Sequence, residues 1–163
     1  MTNGFPRTFL IVPGGGFQLE SFSLLKQLHG LEVELVLPSD NVEADWMRDH
    51  LIHRMDDLAT RAQPTGWLVL WRLIRNFSKG ALLLYRRRPD CIVCIGSSIC
   101  LPIFTLAKIA GIQCIFIESM ARVDGISKTG KLIERWRLAS PIYVQWPNLV
   151  EGRSARIYVG TVL

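Results

Sequence analysis

Four short, strongly apolar runs leave this chain very few folds: Phe9-Leu10-Ile11-Val12, the alternating stretch 31–37, Cys91-Ile92-Val93-Cys94-Ile95 and Cys114-Ile115-Phe116-Ile117. Each is rich in β-branched or aromatic residues and stops at Pro, Gly or a carboxylate, which marks buried strands. Between them, residues 17–28, 66–88 and 101–110 carry apolar side chains at helical spacing. Strands that are apolar on both faces and alternate with helices form a parallel sheet covered on both sides. The crossovers joining such strands are right-handed. The expected fold class is therefore α/β, a Rossmann-like parallel sheet, which Ile142-Tyr143-Val144 and Ile157-Tyr158-Val159 would complete.

Two regions fit the pattern less well. Residues 41–63 are polar and charged with scattered apolar positions, and read as a loop with an irregular or short helical segment. The helix over 66–88 could break at Gly80. The uncharged stretch 91–107 does not read as a membrane span, because it is short and Gly96, Ser97, Ser98 and Pro102 interrupt it. At 163 residues, 49% of them hydrophobic, the chain suits one core, taken as a single domain over 1–163.

The amino-terminal run leads into three glycines without a small-residue cleavage site, so no secretory leader is expected and the chain should stay in the cytosol. Cys91, Cys94, Cys100 and Cys114 lie among apolar neighbours, as reduced core thiols do. Cys91 and Cys94 form a C-x-x-C, but three residues along a strand place them on opposite faces, unsuited to a shared metal. His50 and His53, near Asp49, Asp56 and Asp57, share spacing that a metal could use; a solvated charged face is the better reading, and no metal is expected.

In open parallel sheets ligands bind beyond the carboxyl ends of the strands. Three loops qualify: Gly14-Gly15-Gly16-Phe17, Gly96-Ser97-Ser98, and Glu118-Ser119-Met120-Ala121-Arg122. The first lacks G-x-G-x-x-G and Walker A spacing, which argues against a dinucleotide or nucleoside triphosphate site. Its glycines allow either a close approach to phosphate or a tight turn. Glu118 could accept sugar hydroxyls or act as a base, or pair structurally with Arg122.

A net charge of +5 favours anionic surfaces. Much of it is concentrated in 66–88. Trp67, Trp71, Ile74 and Phe77 fit one helical face, and Arg72, Arg75, Lys79 and Arg86 to Arg88 add charge that no acid in the segment opposes. Rings with a basic rim suit an anionic membrane interface. A core helix with its arginines in water would look the same. No recognition motif for nucleic acid accompanies the basic patch.

From Pro89 onward the sequence resembles the Alg14-like family, including bacterial PssD and Cps14F type polysaccharide-biosynthesis proteins. The residues that carry the likeness are Pro89-Asp90, Gly96-Ser97-Ser98, the run from Phe116 to Val123, Thr129-Gly130-Lys131-Leu132, Val144-Gln145-Trp146 and Tyr158-Val159-Gly160. That family is similar in turn to the amino-terminal, acceptor-side half of MurG-like GT-B glycosyltransferases. The resemblance implies a two-component enzyme in exopolysaccharide or lipid-linked oligosaccharide biosynthesis. This chain would bind a polyprenyl-diphosphate-linked sugar on the cytoplasmic side of the inner membrane as a peripheral protein. An Alg13- or PssE-like partner would bind the UDP-sugar donor, so hexosyl or N-acetylhexosaminyl transfer is expected only from the complex. The stop at Leu163, just past Gly160, agrees with a half-enzyme.

On that reading Glu118 is the catalytic candidate, and Gly14, Gly15, Gly16, Phe17, Gly96, Ser97, Ser98, Ser119 and Arg122 hold the acceptor and its phosphates. Trp67, Trp71, Arg72, Arg75 and Phe77 would contact the membrane; Gln145, Trp146, Val162 and Leu163 would contact the partner. Two departures matter. Related glycine loops commonly carry a His where this chain has Phe17, and the membrane anchor of eukaryotic members is absent from this sequence. The alternatives are a stand-alone Rossmann-like small-molecule enzyme and a membrane adaptor without a substrate site.

Overall fold

The computed structural model describes residues 6–56, 66–150 and 155–163. In chain order the elements are β1 (Arg7–Ile11), α1 (Phe17–Leu25), β2 (Glu32–Pro38), β3 (Ile52–Met55), α2 (Gly66–Arg87), β4 (Cys91–Ile95), α3 (Cys100–Ile109), β5 (Gln113–Ile117), α4 (Lys128–Trp136), β6 (Ile142–Val144) and β7 (Arg156–Tyr158). The strands form one sheet in the order β3-β2-β1-β4-β5-β6-β7. Every pairing is parallel. The strand order reverses between β1 and β4, the place where doubly wound sheets open a crevice.

The alternation of strand side chains divides the interior in two. Phe9, Ile11, Cys94 and Phe116 face a layer that contains Ile103 and Phe104 of α3 and Ile133 of α4. Leu10, Val12, Val93 and Ile95 face the other way, towards Phe17, Leu24 and Leu25 of α1 and the short turn around Met47. Cys91 and Cys94 fall in opposite layers, as strand geometry requires. All four cysteines are free thiols. Burial pushes the Cys91, Cys100 and Cys114 thiols upward, Cys114 to about 12.

The described part of 41–63 has the short helical segment expected there, at Asp45–Met47, and adds a strand that was not expected. It contains the edge strand β3, whose pattern Ile52-His53-Arg54-Met55 hides two polar residues with structural partners. Arg54 donates to the Pro38 and Asn41 carbonyls at 3.0 and 2.6 Å and pairs with Glu43. His53 meets the Glu34 carboxylate at 2.6 Å. Glu34 is 2% exposed and is also reached by Arg87 and Arg7. Burial alone would raise the Glu34 carboxyl, but hydrogen bonds from Arg87 and His53 outweigh it and hold the group below its ordinary 4.5.

Two helices also depart from expectation. α2 runs unbroken through Gly80. A Cβ there would lie 3.2 Å from Leu106 Cδ1, so this glycine lets α2 pack closely on α3. α4 has no counterpart among the helices expected from hydrophobic spacing. It begins at Ser127, whose side chain accepts from Gly130 N, an N-cap that satisfies one of the free first-turn donors. Within the described residues no helix is long and apolar enough to cross a membrane.

Candidate functional site

The three loops singled out in the sequence do share the carboxyl edge of the sheet, following β1, β4 and β5. Gly14 to Gly16 are exposed or close to the surface and lead into α1. Gly96 has φ of +62°, and a Cβ at that position would lie 2.5 Å from the Phe17 ring and 3.2 Å from Ser119 Cβ. Only glycine combines that backbone with that contact. Phe17 is thereby given a structural role, since its half-buried ring packs over Gly96 and ties the first loop to the second. Ser97 and Ser98 are half-buried at the start of α3. The Ser97 hydroxyl accepts from Ile99 N at 3.4 Å, and its carbonyl accepts from the Cys100 thiol at 2.9 Å.

Beneath these loops lies a polar network with two buried carboxylates. Glu118, 1% exposed, accepts from Ser127 N at 2.8 Å, Ser127 Oγ at 3.0 Å and Ser119 N at 3.2 Å. The second carboxylate is Glu20 of α1, 6% exposed. It accepts from Ser119 Oγ at 2.8 Å, Met120 N at 3.2 Å and Gln145 Nε2 at 2.7 Å. Gln145 also donates to the Glu118 carbonyl at 3.0 Å, and its own carbonyl accepts from Val162 N at 3.0 Å. Trp146 Nε1 donates to the Met120 carbonyl at 2.7 Å.

This geometry revises several expected roles. Glu118 is turned inward, and its oxygens hold the start of α4. Its suggested ion pair with Arg122 is not formed among the described residues, where Arg122 is exposed at the loop tip. Ser119 is buried, with its hydroxyl on the Glu20 carboxylate. Gln145 is 2% exposed and fastens Val162, and Leu163 beside it is 58% exposed. Glu20 escapes sequence reasoning, and its one trace is an acid inside the apolar first turns of α1. Gly130 has a role too: a Cβ there would stand 2.5 Å from Glu118 Oε2, so this glycine makes room for the buried carboxylate.

The basic helix is arranged differently from its expected form. Trp67, Leu70, Trp71 and Ile74 form an outward apolar stripe, with the two tryptophans 71% and 51% exposed, and Leu82 and Tyr85 continue it. Phe77 lies off this stripe and lines a groove beside α3. Arg75 and Lys79 are not unopposed: Asp56 pairs with both, at 3.0 and 3.1 Å. Arg72 is half-buried. No cluster of metal-ligating side chains occurs among the described residues. His50 meets the Val33 carbonyl at 3.1 Å, and Asp57 lies outside the described residues.

A family model described as "Oligosaccharide biosynthesis protein Alg14 like" matches residues 59–162. The chain belongs to this Alg14-like family. Among curated relatives, the UDP-N-acetylglucosamine transferase subunit ALG14 of Rattus norvegicus is 27% identical over 144 residues, covering 85% of this chain and 64% of the relative. The Homo sapiens protein of the same name is 32% identical over 87 residues, covering 50% of this chain and 39% of its own length. The chain thus spans less than two thirds of the curated relatives it matches. Among solved structures, Acinetobacter baumannii MurG superposes with a TM-score of 0.75 over 97% of this chain and 46% of MurG, at 17% identity. The fold is that of the amino-terminal half of a GT-B glycosyltransferase.

Proposed function

We propose that this Alg14-like chain is the acceptor-side subunit of a two-component glycosyltransferase in lipid-linked oligosaccharide or exopolysaccharide biosynthesis. It binds a polyprenyl-diphosphate-linked sugar at the cytoplasmic face of the plasma membrane and docks a donor-binding subunit that carries the UDP-sugar. The observation that carries the reading is family membership across residues 59–162, in relatives named as subunits of a UDP-N-acetylglucosamine transferase. The half-enzyme fold supports it.

The site gives the proposal physical content. The starts of α1 and α3 present backbone N–H groups at the crevice, and helix N-termini favour phosphate. Gly14 to Gly16, Ser97 and Ser98 supply the approach for the acceptor diphosphate, and exposed Arg122 supplies a cation that can reach it. Glu118 and Glu20 position the 118–122 loop from below. The outward stripe of α2 rests on the membrane, as amphipathic interfacial helices do. Trp146, Val162 and Leu163 lie beside the network on the side offered to the donor subunit.

The test is sugar transfer from UDP-N-acetylglucosamine to a polyprenyl-diphosphate-linked sugar by this chain, alone and co-purified with a donor-binding subunit. Transfer by the pair and none by either component is expected. Full-rate transfer by the isolated chain would overturn the reading. Arg122→Ala should raise the acceptor KM of the pair, leaving the donor KM unchanged.

A further inference from the structure

An apolar groove of about 580 Å³ lies outside the crevice, drawn from three helices: Leu73 and Phe77 of α2, Leu101 and Ile109 of α3, and Leu132 and Trp136 of α4. Thr105 and Lys108 are the polar side chains of its lining, and both are already engaged. Thr105 Oγ1 donates to the Leu101 carbonyl at 2.8 Å, and Lys108 Nζ donates to the Trp136 carbonyl at 2.7 Å. A lining of this kind is suited to hydrocarbon.

Two continuities identify the occupant. At its upper end the groove starts at Leu101, whose N–H donates to the Ser98 carbonyl at 3.1 Å, so it opens directly beside the second loop of the crevice. Along its flank lies α2, whose outward stripe of Trp67, Leu70, Trp71 and Ile74 is the proposed membrane face. The groove therefore connects the place assigned to the diphosphate with the place assigned to the bilayer. We propose that it binds the isoprenoid chain of the lipid-linked acceptor, a deepening that rests on the acceptor-side reading above. From Leu101 to Ile109 the floor is about 12 Å long at the helical rise per residue, room for the first few isoprene units. The rest of the chain leaves past exposed Ile109 and Trp136. A groove of this kind selects acceptors by their lipid and leaves the sugar to the crevice.

The experiment uses the full chain and a geranylgeranyl diphosphate probe with a terminal benzophenone, irradiated and mapped by peptide mass spectrometry. Labelling is expected on α3 and α4 around Ile109 and Trp136. Ile109→Asp, at a position 81% exposed and so tolerant of change, should cut that labelling about tenfold. Leu51→Asp, at an exposed position away from the groove, should leave it unchanged. Labelling confined to Trp67 and Trp71 would overturn the proposal, since the chain would then lie only in the membrane face. A dimeric mass by light scattering with no labelling would also overturn it, making a second copy the occupant. Because the readout needs no sugar transfer, groove labelling without transferase activity would refute the enzyme reading alone, and transfer without groove labelling would refute this one alone.

Discussion

Gly130 is the position where local propensity and tertiary packing make opposite predictions. It occupies the first turn of α4, where replacing glycine by alanine would ordinarily stabilise a helix by about 1 kcal/mol. Here the added Cβ would stand 2.5 Å from Glu118 Oε2, with Ser127 Oγ at 3.3 Å and Ile126 Cβ at 3.4 Å. The carboxylate has to move, and it is held by Ser127 N at 2.8 Å and Ser127 Oγ at 3.0 Å. Hydrogen bonds to a charged group contribute about 1.5–3 kcal/mol each, so weakening even both in part outweighs the gain in propensity. Gly130→Ala is therefore expected to destabilise the chain by about 2 kcal/mol, a fall in Tm of roughly 4–8 °C for a domain of this size. In a Glu118→Ala background the clash is gone, and the same substitution should be neutral or stabilising. A double-mutant cycle read by thermal unfolding checks both limbs. Additive effects, or a Tm unchanged or raised by Gly130→Ala alone, would refute the reasoning.

Gly96→Ala forces a positive φ on alanine and drives its Cβ into the Phe17 ring, so a loss of about 2 kcal/mol or more is expected in urea unfolding, partly restored by Phe17→Ala. Glu34 has a folded pKa below its unfolded 4.5, so its contribution is present above pH 4.5 and is lost as pH falls through the folded value. Glu34→Gln should flatten the acid limb of stability between about pH 5 and 3, and an unchanged slope would show that other carboxylates set it. Trp71→Glu should reduce recovery on anionic vesicles about tenfold while leaving the Tm within a degree or two, because the side chain is 51% exposed; equal recovery would remove α2 from the membrane face.

The strand–helix alternation was legible because buried parallel strands must be apolar on both faces, and runs such as Phe9-Leu10-Ile11-Val12 and Cys91 to Ile95 carry that demand in their composition. The loops at Gly14, Gly96 and Glu118 were legible for the same reason, since in such a sheet the residues that follow each strand meet at one edge. β3 was hidden because an edge strand pairs on one side only, and His53 and Arg54 could be polar with Glu34 and Glu43 as partners from elsewhere in the chain. α4 was hidden because Thr129-Gly130-Lys131 opens on a poor helix former, which is explained by a carboxylate twelve residues upstream of it, counted from Glu118 to Gly130.

The same contrast holds within the site. Composition and spacing picked out Glu118 as an acid at the end of a strand, but nothing along the chain tells whether such an acid faces a ligand or the interior. Ser127 decides it by donating twice to the Glu118 carboxylate, and the two come together only when β5 and α4 are packed. The sequence by itself thus determined the layers and the edge at which the three loops gather, because both follow from hydrophobic periodicity. Which polar groups are spent holding that edge in place, and which remain for a ligand, depended on three-dimensional pairing between residues as far apart as Glu20 and Gln145, and only the tertiary structure decided that.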